Sequence, residues 1–180
     1  RDYDLKYLRK KIGFIPQKTL LFTGSIANNI KFGKKDAEHK EVEDSAKIAQ
    51  AYEFISNKPN KFDEIITEGG SNVSGGQKQR LSIARAIVRK PDIYIFDDSF
   101  SALDFKTDAI LRKELRAETK DAIVLIVAQR IGSIMDADKI IVLNEGEVVG
   151  IGTHKELIKN CSIYHEIATS QLTEEELANE

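Results

Sequence analysis

The chain has a single cysteine, Cys161, among 180 residues, so no disulfide can form within it and no cysteine cluster can hold a metal. That usage makes a reducing cytosol the expected compartment. No charge of one sign dominates: 27 basic and 29 acidic residues leave a formal net charge of −2. Such a balance gives no global pull toward nucleic acid or an anionic membrane, although local patches can still form. Long hydrophobic runs are missing as well. The longest, residues 122–128, falls far short of the ~20 apolar residues a membrane-spanning helix needs. No internal repeat or low-complexity tract stands out. The opening residues are charged and carry no apolar stretch of secretory-leader type. The chain starts on Arg1 already inside a dense pattern, and the expectation is a piece of something longer. What is present, 41% hydrophobic and 31% charged residues, is the composition of a folded chain with enough length for one ordinary domain.

Residues 11–15 (KIGFI) read as a short strand stopped by Pro16. Gly24 and Ser25 form a turn and N-cap before a short helix over 26–30. Apolar positions at helical spacing (Val42, Ala46, Ala49) predict one amphipathic helix over 36–52. The polar, glycine-rich stretch 57–74 predicts a loop. A helix follows over 75–89, ended by Lys90-Pro91. Residues 93–96 predict a buried strand, 104–119 a helix, and 122–128 a parallel strand covered on both faces. Residues 139–143 and 147–151, joined by Asn144-Glu145-Gly146, predict a hairpin. Helices over 155–159 and 163–170 close the domain, and 173–180 reads as a frayed acidic tail. Strand and helix in alternation imply an α/β fold with a mostly parallel sheet, and 36–90 a helical lobe.

The most specific string is VSGGQ at residues 73–77. Ser74 is placed to cap a helix whose first amides have no intrahelical partner and whose dipole adds partial positive charge. Two glycines let a bulky anion approach that backbone closely. Taken alone, the string is more simply a glycine-rich turn before a helix. Its context is a second string, IYIFDD at 93–98, an apolar strand ending in two carboxylates. The C-terminal edge of such a strand is where α/β folds bind ligands. Asp97 there suits a hydrated Mg²⁺, which takes few carboxylates.

Together these strings resemble the nucleotide-binding domain of an ATP-binding cassette (ABC) transporter of the exporter type. The resemblance runs from about Leu8 to Gln171. It includes Gln17 in IPQ (the Q-loop), 73–77 (the signature), 93–98 (Walker B), 101–104 (SALD, the D-loop) and the downstream ADKIIVLNEGEVVGIGTHKEL. Thr67-Glu68-Gly69 is similar to the exporter X-loop, which contacts the membrane domain. The resemblance implies a partial ABC ATPase, a P-loop NTPase fold with an α-helical signature subdomain at about 25–90. The incomplete nucleotide-binding domain would span 1–172, with the tail after it. ATP and Mg²⁺ are the implied cofactors. Gln17 would contact Mg²⁺ and the attacking water. Ser74, Gly75, Gly76 and Gln77 would bind the γ-phosphate of ATP held by the opposite subunit. Asp97 would hold Mg²⁺ through water, and Asp104 would communicate across the dimer. A second ABC subunit and a transmembrane domain are the implied partners, at the cytoplasmic face of the membrane, with no nucleic acid.

Three departures qualify that reading. No GxxGxGK[ST] string, the phosphate cradle, occurs in these residues. The expectation is that it lies upstream of Arg1, and that the isolated chain does not bind ATP tightly. Asp98 stands where the family's general base is glutamate, so its carboxylate is one methylene short of the water. Gln129 stands where the family has a histidine, and glutamine neither titrates nor carries charge. His154, before the last helices, reads as a cap or surface residue. Asp98 and Gln129 together resemble the degenerate-site subunit of heterodimeric exporters. The defects lie in residues serving this chain's own ATP, whereas the intact signature serves the partner's. The alternatives are an impaired homodimer, a soluble or importer-type ABC ATPase, and a truncated, non-catalytic fragment acting as an interaction module.

Overall fold

The computed structural model describes residues 3–173. The chain divides into two compact units, Arg1–Val127 and Ala128–Glu180. In the first, a parallel three-stranded sheet runs in the order β1 (Ile12–Ile15), β4 (Ile93–Asp97), β5 (Ile123–Val127). The central strand pairs on both sides, Phe96 lying between Ile15 and Ile126. Tyr94 and Phe96 face the core with Ile15, Leu111 and Leu115. A helix not foreseen from the sequence, α1 (Leu5–Lys11), precedes β1, capped by the Asp4 carboxylate, which accepts from the Lys6 amide at 2.9 Å.

Between β1 and β4 lies the helical part of this unit. Ser25 caps α2 (Ile26–Lys31), as the sequence indicates. The single helix expected over 36–52 is instead two, α3 (His39–Ile48) and α4 (Tyr52–Ser56). Gln50 adopts φ 55°, and the Ala51 amide reaches back to the Ala46 carbonyl at 2.7 Å. Gln50's own carbonyl accepts from Arg80, whose guanidinium lies 4.9 Å from the Phe54 ring. The break is thus held by a side chain from another helix, which helical periodicity does not report. Burial lowers the Arg80 pKa, opposed by the charges of Asp104 and Glu53.

The stretch expected as loop over 57–74 contains more order than its composition suggests. Ile65–Ile66 (β3) pairs antiparallel with Gly24–Ser25 (β2). Asn72 closes the following turn, accepting from Thr67 and donating to the Ile65 carbonyl at 2.7 Å. The helix α5 (Gly75–Ile87) matches the reading to within two residues and packs on β1, α2 and α3. Its Arg85 donates to the Asn29 and Leu20 carbonyls and lies over the rings of Phe22 and Phe32. Asp104 caps α6 (Phe105–Glu118).

The 122–128 run is a parallel strand as expected, but it is not covered on both faces. Ile123, Leu125 and Val127 are more than half exposed. They share one face of the sheet with Phe14 of β1, in register through Ile95 and itself more than half exposed, so that face lies open among the described residues. An apolar run records which faces a strand is able to bury, not which are covered.

In the second unit a short 3-10 turn (Ile131–Ser133) precedes the hairpin β6 (Ile140–Asn144) and β7 (Glu147–Gly152), which lies in the place the Asn144-Glu145-Gly146 turn predicts. One face packs on α7 (His154–Asn160) and α8 (Ser162–Gln171) through Val142, Leu157, Tyr164 and Ala168. His154 is neither cap nor surface residue. Thr153 is the cap, and His154 is 3% exposed with Nδ1 2.7 Å from the Tyr164 hydroxyl. Of the acidic tail, residues 174–180 lie outside the described residues.

Candidate functional site

Three segments of the first unit converge at the C-terminal ends of its parallel strands. Strand β4 delivers Asp97 and then Asp98, the latter at φ 44°. Aspartate is among the few side chains that tolerate that left-handed region. The turn is fixed by the Asp98 amide donating to the Val127 carbonyl at 2.8 Å and by the Ser101 hydroxyl donating to the Asp98 carbonyl at 2.9 Å. The second segment leaves β1 and carries Gln17. Its Nε2 donates to Asp98 Oδ2 at 3.0 Å, joining residues 81 positions apart. Two of the residues singled out by sequence therefore meet directly. Asp97's carboxylate makes no hydrogen bond or ion pair among the described residues.

The third segment is the start of α5. Ser74 Oγ accepts from the Gln77 amide at 3.3 Å, and the Gln77 side-chain oxygen accepts from the Ser74 amide at 3.1 Å, a reciprocal capping box. The amides of Gly75 and Gly76 make no hydrogen bond among the described residues. Nothing lies within 4 Å of where a Gly75 Cβ would stand, so the backbone there is open. At Gly76 a Cβ would meet the Ala102 carbonyl at 3.2 Å, which places the D-loop segment against the first turn of α5. An open helix N-terminus with free amides suits an anion, and its dipole reinforces that preference.

Asp104 accepts from the Thr107 amide at 3.0 Å, and that bond holds its carboxyl below the usual range. Gln129 belongs to the second unit and is exposed. Its carbonyl accepts from Gln171 at the end of α8, at 2.9 Å, and Gln171 also accepts from the Ile131 amide. The Thr67-Glu68-Gly69 segment is tied to α5 through Lys78, whose Nζ donates to the Gly69 carbonyl at 2.8 Å.

Sequence reading passed over several buried polar groups that build this site. Ser99 is fully buried, its hydroxyl donating to the Ile15 carbonyl at 2.8 Å. Gln79 is 3% exposed, accepting from Thr19 and donating to the Pro16 carbonyl. For Gln79 the available signal is a polar side chain on the inward face of α5, which no motif singles out, whereas Ser99 sits in the turn after β4 and carries no such signal.

A family model described as ABC transporter matches residues 1–101, more than half of the chain. The chain belongs to the ABC transporter family. Among similar proteins, an uncharacterized ABC transporter ATP-binding protein of Bacillus subtilis, YfiB, is 45% identical over 175 residues, covering 97% of this chain and 30% of the relative. Mouse ATP-binding cassette sub-family B member 5 is 40% identical over 171 residues, covering 95% of this chain and 14% of the relative. The solved structure of a bacterial Atm1-family ABC exporter with ATP bound superposes with a TM-score of 0.90 at 36% identity, covering 94% of this chain and 30% of the other. The fold is that of an exporter-type ABC nucleotide-binding domain, and this ABC chain spans less than a third of those relatives.

The residues present fit a cation and an anion in different ways. Asp97, Asp98 and the side-chain oxygen of Gln17 offer few oxygens, which matches Mg²⁺ that keeps most of its water. No group of three or more His, Cys, Asp or Glu side chains able to cage a metal occurs among the described residues. The start of α5 fits a phosphate. No helix of the described residues is long and apolar enough to cross a membrane.

Proposed function

We propose that this chain is the ATP-binding and ATP-hydrolysing part of an ABC exporter subunit, working at the cytoplasmic face of a membrane. It pairs with a second, different ABC subunit and with a transmembrane domain of the same or the partner chain. Residues 1–172 would form the nucleotide-binding portion, with the helical subdomain at about 25–90. The observation that carries the reading is the start of α5, where the Gly75 and Gly76 amides are open and free.

In this reading Ser74, Gly75, Gly76 and Gln77 receive the γ-phosphate of ATP seated on the partner. Mg²⁺, when bound, neutralises phosphate charge. Asp97 would hold it through water, and Gln17 would contact it and the attacking water. Asp98 would accept a proton from the attacking water, from a carboxylate one methylene short and already engaged by Gln17. Gln129 would donate a hydrogen bond toward the phosphate without contributing charge. Asp104 would carry the state of one site to the other. The two impaired positions serve this chain's own nucleotide and the signature serves the partner's, so the pair has one weak and one competent site.

A Gly75→Asp variant of the full transporter separates this function from folding. A Cβ at this position has no neighbouring atom within 4 Å, and a carboxylate in the first turn of a helix favours the helix. The same carboxylate repels a phosphate. ATP turnover is expected to fall by about 10²-fold, with the thermal midpoint unchanged or slightly raised. Turnover insensitive to the Gly75→Asp change would contradict this reading and point to a non-catalytic interaction module.

A further inference from the structure

The segment that bears Gln17 is gripped by the helix that carries the signature. Gln79 lies on α5 one turn beyond Gly76 and is almost completely buried. Its side-chain oxygen accepts from the Thr19 hydroxyl at 2.6 Å, and its Nε2 donates to the Pro16 carbonyl at 3.4 Å. These partners stand on either side of Gln17 in sequence. Strand β1 ends at Ile15, so the Pro16 carbonyl lies outside the ladder. On the other side of the same segment, the buried Ser99 hydroxyl holds the Ile15 carbonyl at 2.8 Å. Gln17 itself reaches Asp98.

We infer that Gln79 is a positioning residue for Gln17, fixing its backbone to the first turns of α5 through Thr19 and Pro16. The inference rests on the proposed function for its catalytic consequence. An amide suits the task because it presents an acceptor and a donor side by side. Leucine has a similar volume and supplies neither. A ligand drawn to the start of α5 acts on the helix that holds Gln79, and so acts on the placement of Gln17 relative to Asp98. Misplacing a water-orienting group by a fraction of an ångström lowers the rate of the chemical step while leaving ground-state binding intact.

The test uses the full transporter with Gln79→Leu, Thr19→Val, the double variant and Thr19→Ser. Gln79→Leu is expected to lower kcat about 10-fold per folded molecule, with KM for ATP within about twofold of the wild type. Thr19→Val should act in the same direction, Thr19→Ser should rescue it, and the double variant should be no worse than Gln79→Leu. Amide hydrogen exchange over residues 17–22 should rise about 10-fold in Gln79→Leu, whether or not ATP is turned over. Unchanged exchange would overturn the inference. So would a variant with a lowered thermal midpoint but an unaltered kcat per folded molecule, because that is a purely structural role. A wild-type transporter with no ATPase activity would sink the proposed function, while the exchange response of its Gln79→Leu variant would leave the positioning contact standing.

Discussion

Asp98→Glu combined with Gln129→His in the full transporter is expected to raise hydrolysis at this chain's own nucleotide by about 10²-fold. The physical reason lies in reach and charge. Asp98 Oδ2 is 3.0 Å from Gln17 Nε2, and the remaining carboxylate oxygen hangs on a side chain one methylene shorter than glutamate. A general base depends on hydrogen-bond distance to the proton it removes, so an added methylene acts on the chemical step directly. Histidine in place of Gln129 supplies a group that can hold a positive charge, which glutamine cannot. Each single change should recover only part of the gain, because base and charge act on the same step. The glutamate pays a small conformational cost, since the position has φ 44° and aspartate is favoured there. Site-resolved turnover, read from the nucleotide retained on each subunit, checks this. Equal turnover at both wild-type sites would show that neither is degenerate.

Gly33→Ala is expected to be the most damaging single substitution for stability. A Cβ at Gly33 would stand 2.0 Å from the Arg85 carbonyl oxygen, with Val88 Cγ1 at 3.2 Å. The obstructing atom is backbone in the last turn of a packed helix, so no rotamer change relieves it. The contact joins the end of α2 to α5, and the Arg85 side chain crosses the same seam to Asn29 and Leu20. Forcing the helices apart also opens that polar network. The expected cost is about 3 kcal/mol, the upper part of the overpacking range. A cost of that size lowers the thermal midpoint of a domain this long by roughly 6–12 °C. A melt within about 2 °C of wild type, well short of that span, would mean the helices separate without penalty.

Much of this architecture is legible in the sequence where local chemistry decides it. Ser74 and Asp104 start their helices as cap residues should, and Lys90-Pro91 marks the end of α5. The hairpin follows from a two-residue turn, Glu145-Gly146, with both φ values positive, a geometry that matches strand twist. Gln17 and Asp98 each stand out in the sequence, but their contact does not, because an 81-residue separation leaves no local trace. The break at Gln50 leaves no mark on the helical period, because Arg80 holds it from another helix. The β2–β3 ladder is not legible, because two-residue strands carry no period. Strand β5 read as doubly covered because composition cannot report which neighbours are present. His154 read as a cap because a polar residue beside Gly152-Thr153 has that local look, while its burial comes from Tyr164, ten positions on.

The most direct measurement is the nucleotide bound to the full transporter after a single turnover with Mg-ATP. With one weak and one competent site, the expected result is ADP on the partner, opposite this chain's signature, and intact ATP retained on this chain. ADP on both subunits at equal rates would contradict the asymmetric reading.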